Sequence, residues 1–358
     1  MAEPVEPTGR LPPKLRSGLL LLAAALLFIF SIQLLRGSVG TLAPWLRIHL
    51  QRLVTGEAST LGFAWLASYL LMNGSVVAAL ALTFLEQQVI DGSQVLMMIG
   101  GSRLGAAGVV VAVGAVDYFN QRKLSLGRAC SMGILSFLIT HAQSIPALAA
   151  SWLWTEFVPL SLSGLFGIDD RRISMPPTLD TLSDGLIKTV GPTIGFLAGL
   201  LLLYFALRLL NKGFAGVDID RIRRKYFSFL RNRWLSFGLG LLVTGLTLSV
   251  AFSLAIVVPL YNRGLADERE VLPYIMGANI GTFGDTIIIA FLLEPAAGVD
   301  ATLAFIGATL LVTLFFLVAF RRLLSWNRRL IEAIASSDRR FLLFLASLAI
   351  VPALLLAL

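Results

Sequence analysis

Residues 270 to 293, EVLPYIMGANIGTFGDTIIIAFLL, form a run long enough to cross a bilayer core of ~30 Å, which takes about 20 apolar residues in a helix. A polar hexad interrupts its middle: Gly277-Ala278-Asn279-Ile280-Gly281-Thr282, followed by Asp285 and Thr286. Two glycines four apart are expected to open the helix there, exposing backbone amides and carbonyls, while Asn279 and Thr282 add an amide and a hydroxyl. Opened helix ends offer positive N-termini to anions and carbonyl oxygens to Na⁺. Gly277, Asn279, Gly281, Thr282 and Asp285 are therefore candidate binding residues, with Asn279 and Thr282 as candidate Na⁺ ligands. The competing reading is a small-xxx-small packing face, which does not account for Asn279 and Asp285.

The rest of the chain is of the same kind. Its 358 residues are 57% apolar and 14% charged, with a mean hydropathy of +0.83. Soluble domains carry about 25% charged residues, so this is the composition of an all-α integral membrane protein. The net charge of +8 does not point to nucleic acid, because Lys and Arg sit in short clusters between apolar runs. One cysteine, Cys130, and two histidines, His49 and His141, leave no Cys/His set of metal-ligand spacing, and no cofactor is expected.

Apolar runs of spanning length lie at roughly 18 to 35, 94 to 117, 128 to 145, 187 to 208, 270 to 293, 302 to 321 and 341 to 358. Two other stretches, 59 to 90 and 234 to 262, are too long for one crossing and too short for two. Small or polar residues break each near its middle: Asn73, Gly74 and Ser75 in the first, Ser249, Ala251 and Ser253 in the second. Both are expected to be re-entrant helical hairpins, tolerated at depth only where protein or a watery cavity covers the backbone.

Basic loops orient the chain. Arg10, Lys14 and Arg16, then Arg122, Lys123 and Arg128, then the cluster at 221 to 233, then six arginines at 321 to 340 are expected to face the cytoplasm. Segment 294 to 301, with Glu294 and Asp300 and no basic residue, is expected outside. The Trp-rich stretch 151 to 166, with Trp152 and Trp154, is then expected to lie in the interface. So is 36 to 52, an amphipathic helix that carries Arg36, Arg47 and Arg52. Trp45, Trp234 and Trp326 suit the aromatic belt.

Shifting the sequence by 176 residues aligns its halves without a gap from about 21 to 108. Gly37 meets Gly213, Gly62 meets Gly238, Asp91 meets Asp267, and Gly101, Gly105 and Gly108 meet Gly277, Gly281 and Gly284. Three crossings lie between equivalent points, an odd number, so the second copy is expected to enter from the opposite face. Inverted repeats with interrupted helices meeting near the midplane are the architecture of secondary transporters. The expected organisation is a cytoplasmic N-terminal tail at 1–17, a first inverted repeat at 18–145 and an interfacial linker at 146–186. A second repeat at 187–321 and a basic loop with a last transmembrane helix at 322–358 complete it.

On these motifs the chain resembles the Na⁺/phosphate cotransporter family, whose members carry two inverted repeats, each with a Gln-Ser-Ser-Ser hairpin tip followed by a Gly-Ala-Asn-Ile-Gly-Thr-Thr span. Residues 277 to 282 carry the second motif intact; the first copy reads Gly101, Ser102, Arg103, Leu104, Gly105, Ala106. The tips depart from the family, at Met72-Asn73-Gly74-Ser75 and Leu248-Ser249-Val250-Ala251. Arg103 stands where the family has Asn, and Asp285 where it commonly has Thr. The resemblance implies a substrate site at Asn73, Gly74, Ser75, Ser102, Arg103, Ser249 and Ser253, together with the residues of the second broken span.

An arginine in mid-span costs ~2.5 to 3.5 kcal/mol on insertion scales and needs a partner. Arg103 is expected to meet Asp285 from the opposed repeat and to face an anion as a fixed cation. The alternative is a static pair that fastens the repeats together. His141 with Gln143 reads as a satisfied polar pair, Glu86, Gln87 and Gln88 as solvated, and Asp91 and Asp267 as helix caps.

The function expected is sodium-coupled symport of inorganic phosphate across the plasma membrane by alternating access. Its partners are phosphate or another small anion, Na⁺ or H⁺, and the lipid bilayer, with homo-oligomerisation left open. Coupling to protons or carriage of another small anion are close variants. A more distant one is an intramembrane polyprenyl-diphosphate phosphatase, whose Gly-x-Ser-Arg motif Gly101-Ser102-Arg103 resembles; that enzyme needs a carboxylate cluster for a divalent ion, and the hairpins hold no paired Glu.

Overall fold

A computed structural model describes residues 13–121, 126–158, 161–165, 177–214, 230–262, 266–293 and 296–358. The N-terminal tail up to residue 12, the basic loop at 122 to 125, most of the basic loop at 221 to 233, and Glu294 lie outside these. Among the described residues there are helices and turns but no strand, and seven helical segments are long and apolar enough to span a bilayer.

The first half contains α1 (Pro13–Leu50), α2 (Glu57–Leu71), α3 (Gly74–Glu86), α4 (Gly92–Gln121) and α5 (Leu126–Phe157), then short α6 (Leu162–Leu165) and α7 (Pro177–Val190). The second contains α8 (Pro192–Phe214), α9 (Arg233–Thr247), α10 (Val250–Asn262), α11 (Glu268–Gly281), α12 (Phe283–Leu293) and α13 (Ala296–Val318), followed by α14 (Phe320–Ala335) and α15 (Asp338–Leu356). The bounds of α9 and α10 lie 176 positions after those of α2 and α3: 57 to 233, 71 to 247, 74 to 250 and 86 to 262. The starts of α4 and α11, at 92 and 268, keep the same offset.

Local chemistry explains the matched bounds. Asp91 accepts from the Gln94 amide at 2.8 Å while the Gln94 side chain accepts from the Asp91 amide at 3.1 Å. Asp267 and Glu270 make the same reciprocal cap on α11, so both aspartates hold orphan N–H groups at a helix start. Each hairpin turns through a residue in the left-handed region, Met72 at φ 48° and Leu248 at φ 51°. That conformation costs a non-glycine residue roughly 1 to 2 kcal/mol.

The halves interlock. Buried side chains of α3 share one core with Phe283, Ile289 and Phe305 of α12 and α13. Those of α10 and α11 share another with Met132, Ile134, Leu135 and Ile139 of α5. Helix α1 packs along α8, α2 on α4, and α9 on α11.

Three expectations about segment ends are corrected. No separate helix begins at 36. Helix α1 runs unbroken through its 38 residues, about 57 Å at 1.5 Å per residue. Its far part is tied to the end of the first hairpin, with Arg36 Nε 2.6 Å from Glu86 Oε1 and Arg47 donating to the Gln87 carbonyl at 3.0 Å. Glu86 is therefore 11% exposed and paired, where solvation was expected. Trp152 and Trp154 belong to α5, which continues past 145 to Phe157; Ser151 and Thr155 fold their hydroxyls onto preceding carbonyls, and nothing stops the helix. The span expected from 187 starts at Pro192, because Gly191 at φ +86° ends α7 and proline opens α8.

Candidate functional site

The two hairpin tips open onto one cavity of about 300 Å³. Met72, Asn73, Gly74 and Ser75 line it from the first tip, Leu248, Ser249 and Val250 from the second, Arg103 from α4, and Asn279, Thr282 and Phe283 from the end of α11 and the start of α12. Helix α5 adds Ser136, Thr140 and Ser144, α8 adds Asn211, and α13 adds Thr309.

The tips are built by capping. Asn73 Oδ1 accepts from the Ser75 and Val76 amides at 2.9 and 3.4 Å, and Ser249 Oγ accepts from the Phe252 amide at 3.1 Å. Both α3 and α10 thus begin at the cavity, where a helix start carries partial positive charge. Gly74 lets the first tip rest on α4: a Cβ there would stand 2.6 Å from the Ser102 carbonyl oxygen and 3.0 Å from Ala106 Cβ.

Arg103 reaches from α4 to the start of α12. One guanidinium nitrogen donates to Thr286 Oγ1 at 2.5 Å and stands 3.4 Å from Asp285 Oδ1, while the group lies 4.5 Å over the Phe283 ring. The Thr286 hydroxyl donates in turn to Asp285 Oδ1 at 2.9 Å. Asp285 is fully buried and Arg103 is 7% exposed, on the cavity wall. The pair is not a bidentate fork: Arg103 Nε and Asp285 Oδ2 have no partner among the described residues.

Asn279 sits in a directed network. Its Nδ2 donates to Thr140 Oγ1 at 3.0 Å and to Gln143 Oε1 at 2.7 Å. Gln143 Nε2 donates to the Met276 carbonyl at 3.3 Å and to Thr313 Oγ1 at 2.6 Å. The Thr140 and Thr313 hydroxyls donate back to the Ser136 and Thr309 carbonyls.

Of the residues expected at the site, Asn73, Gly74, Ser75, Arg103, Ser249, Asn279 and Thr282 line the cavity; the others stand behind its wall. Ser102 turns its hydroxyl to the Ile99 carbonyl, Ser253 pairs with Tyr274 at 2.9 Å, and Asp285 lies behind Arg103. The glycines do not open their helices. Gly101 and Gly105 lie inside unbroken α4, where a Cβ would meet the Leu61 carbonyl oxygen at 2.5 Å and the Trp65 carbonyl oxygen at 2.6 Å. A Cβ on Gly277 would collide with the Phe237 carbonyl oxygen, and one on Gly281 would stand 2.7 Å from that of Leu241. These glycines let backbones touch, which is the packing role. The second span is interrupted only at Thr282, between α11 and α12, and even there the Thr282 amide still donates to the Ala278 carbonyl at 3.1 Å.

The hydroxyls of α5 and α13 and the amides of Asn211 and Gln143 were not among the expected site residues. Ser136, Thr140 and Ser144 at four-residue spacing mark one helix face. That pattern was open to reading, but which wall the face lines depends on packing.

A model of the Na⁺/Pi-cotransporter family matches residues 201–334, from within α8 through most of α14. Sodium-dependent phosphate transport protein 2B of Homo sapiens is 35% identical over 172 residues, 43% of this chain and 25% of that protein. Sodium-dependent phosphate transport protein 2A of Mus musculus is 35% identical over 115 residues, 32% and 18% of the two chains. The 2A protein of Ovis aries is 41% identical over 70 residues, 20% and 11%. The chain thus matches a quarter or less of the length of these relatives. No solved structure matches it. The matched family and these relatives carry the names of transporters.

Proposed function

We propose that the chain is a member of the Na⁺/Pi-cotransporter family, whose model matches residues 201–334, and that it carries inorganic phosphate across the plasma membrane in symport with Na⁺. One observation carries the reading: both hairpin tips and a guanidinium meet at a single cavity. The starts of α3 and α10 and the Arg103 side chain make one pole of that cavity positive. A guanidinium can fork two N–H groups onto phosphate oxygens. A fixed cation at Arg103 thereby takes over the anion-holding work of the serines missing from the tips.

Coupling follows from electrical work. Bringing a dianion into a cell held at about −100 mV costs roughly 4.6 kcal/mol, at ~2.3 kcal/mol per charge. Two or three Na⁺ entering with it offset that cost. The two copies are inverted in this reading, with the N-terminus and the basic loops in the cytoplasm, and they exchange access to the cavity by moving against one another. The matched helix bounds support two copies, and the interlocked cores give each hairpin a partner surface on the other half.

The test is uptake of labelled phosphate by purified protein in proteoliposomes, with an inward Na⁺ gradient and an inward proton gradient imposed separately. Accumulation driven by Na⁺ is expected. Accumulation under protons alone would transfer the coupling role to H⁺, and accumulation under neither would overturn the reading.

A further inference from the structure

We infer that Gln143, a residue outside the cavity lining, is the positioning residue of the candidate Na⁺ ligand Asn279, fixing its amide so that Oδ1 and not Nδ2 is left for a cation. The inference rests on the symport reading for its ligand but on the hydrogen-bond network for its place.

The direction of every bond in that network is forced. The Met276 carbonyl can only accept, so the Gln143 atom facing it at 3.3 Å must be Nε2. The same nitrogen donates to Thr313 Oγ1 at 2.6 Å, whose own hydrogen is committed to the Thr309 carbonyl. Gln143 therefore has only its Oε1 to offer Asn279, and Asn279 must answer with Nδ2, at 2.7 Å. The second Nδ2 hydrogen goes to Thr140 at 3.0 Å, which spends both amide donors on α5.

What Asn279 has left is Oδ1, an acceptor with no donor among the described residues, on a side chain that lines the cavity. Thr282, one turn along, has likewise given its hydroxyl hydrogen to the Ala278 carbonyl at 2.8 Å and presents lone pairs. Oxygen acceptors stripped of their own donors fit a hard cation and repel an anion. Gln143 is fully buried, has no part in lining the cavity, and acts as a positioning residue that keeps the Asn279 amide from turning over. Without it the amide could present its NH₂ to the cavity and reverse the local polarity. The site shares its cavity with Arg103, which at the matching position of the first copy supplies a donor: 103 and 279 are the 176-residue counterparts. One repeat position therefore gives the cavity its positive side and, in the other copy, its negative side.

The experiment is a Na⁺ titration of the purified full chain in detergent, with choline replacing Na⁺ at constant ionic strength. The Na⁺ concentration at half-maximal thermal stabilisation is the readout, kept separate from the unfolding temperature at zero Na⁺. Gln143→Leu is expected to raise that midpoint about 10- to 100-fold, as loss of an orienting partner does at metal sites. Thr313→Val, which removes the hydroxyl that accepts from Gln143, should move it the same way by less, and Asn279→Leu should abolish the response. A Gln143→Leu midpoint equal to that of the wild type overturns the site. If that variant does not fold, an unmoved midpoint in Thr313→Val overturns it, and so does a wild type that Na⁺ stabilises no more than choline. None of these readings needs transport. Na⁺-driven phosphate uptake with an unmoved midpoint would sink the site and keep the symport, whereas a Gln143-dependent midpoint in a protein that accumulates nothing would do the opposite.

Discussion

Replacing Arg103 by methionine strips Asp285 of its cation inside the protein. The carboxylate is fully buried, and what remains to it is the Thr286 hydroxyl at 2.9 Å. Breaking a buried pair from one side costs about 3 to 5 kcal/mol, because the abandoned charge stays out of water. The reverse change, Asp285→Asn, is milder. The guanidinium keeps Thr286 at 2.5 Å and the Phe283 ring at 4.5 Å, and it borders a cavity that can hold water, so the loss is expected at about 1 to 3 kcal/mol. Combining Arg103→Met with Asp285→Asn removes both charges and should recover about 1 to 3 kcal/mol of the Arg103 loss. Thermal unfolding of the purified variants in detergent ranks them: Arg103→Met least stable, the double variant above it. Phosphate is expected to stabilise the wild type, and the double variant should lose that response. An Arg103→Met protein as stable as wild type would show that the charge is not held against Asp285. A stable double variant that still responds to phosphate would reduce Arg103 to a fastener between the halves.

Backbone contact makes Gly277→Ala destabilising by about 1 to 3 kcal/mol or more, since its Cβ would strike the Phe237 carbonyl with no flexible side chain to yield. Gly307→Ala, with nothing within 4 Å of its Cβ, should stabilise by a few tenths to about 1 kcal/mol. Equal behaviour of the two in thermal unfolding would remove the packing account. Because the caps on α4 and α11 are built alike, Asp91→Ala and Asp267→Ala should each cost about 0.5 to 2 kcal/mol, and a difference between them larger than that range would undo the equivalence. Glu268→Gln weakens an exposed link to Arg328 at 2.5 Å, a hydrogen bond that raises the Arg328 pKa above its ordinary value. With Arg328 43% exposed, the stability change should stay under about 1 kcal/mol, measured the same way.

The hairpins could be read from the chain because Asn73-Gly74-Ser75 and Ser249 interrupt apolar runs of the wrong length for whole crossings, and interruption is a local property. The meeting of Arg103 with Asp285 could be inferred too, since a mid-span charge leaves few ways to be neutralised. The glycines misled for a physical reason. Gly277 and Gly281 at four-residue spacing suit an opened helix and a close backbone contact equally, and only the position of α9 separates the two. The ends of α1 and α5 were missed because charge and tryptophan content do not stop a helix whose backbone bonds are all made. Gln143 was read with His141, its near neighbour in sequence. Its real partners, Met276, Asn279 and Thr313, lie 133, 136 and 170 positions away, and no spacing rule connects them.

The carrier account depends above all on the two copies entering the membrane in opposite senses. Thr55 and Arg231 are both exposed, stand just ahead of α2 and α9, and are 176 positions apart. In a background with Cys130 replaced by serine, Thr55→Cys and Arg231→Cys can each be challenged in sealed vesicles of known orientation with a membrane-impermeant thiol reagent. Labelling of the two from opposite sides is the predicted result. Labelling of both from the same side would contradict the inversion and the alternating exposure of the cavity that depends on it.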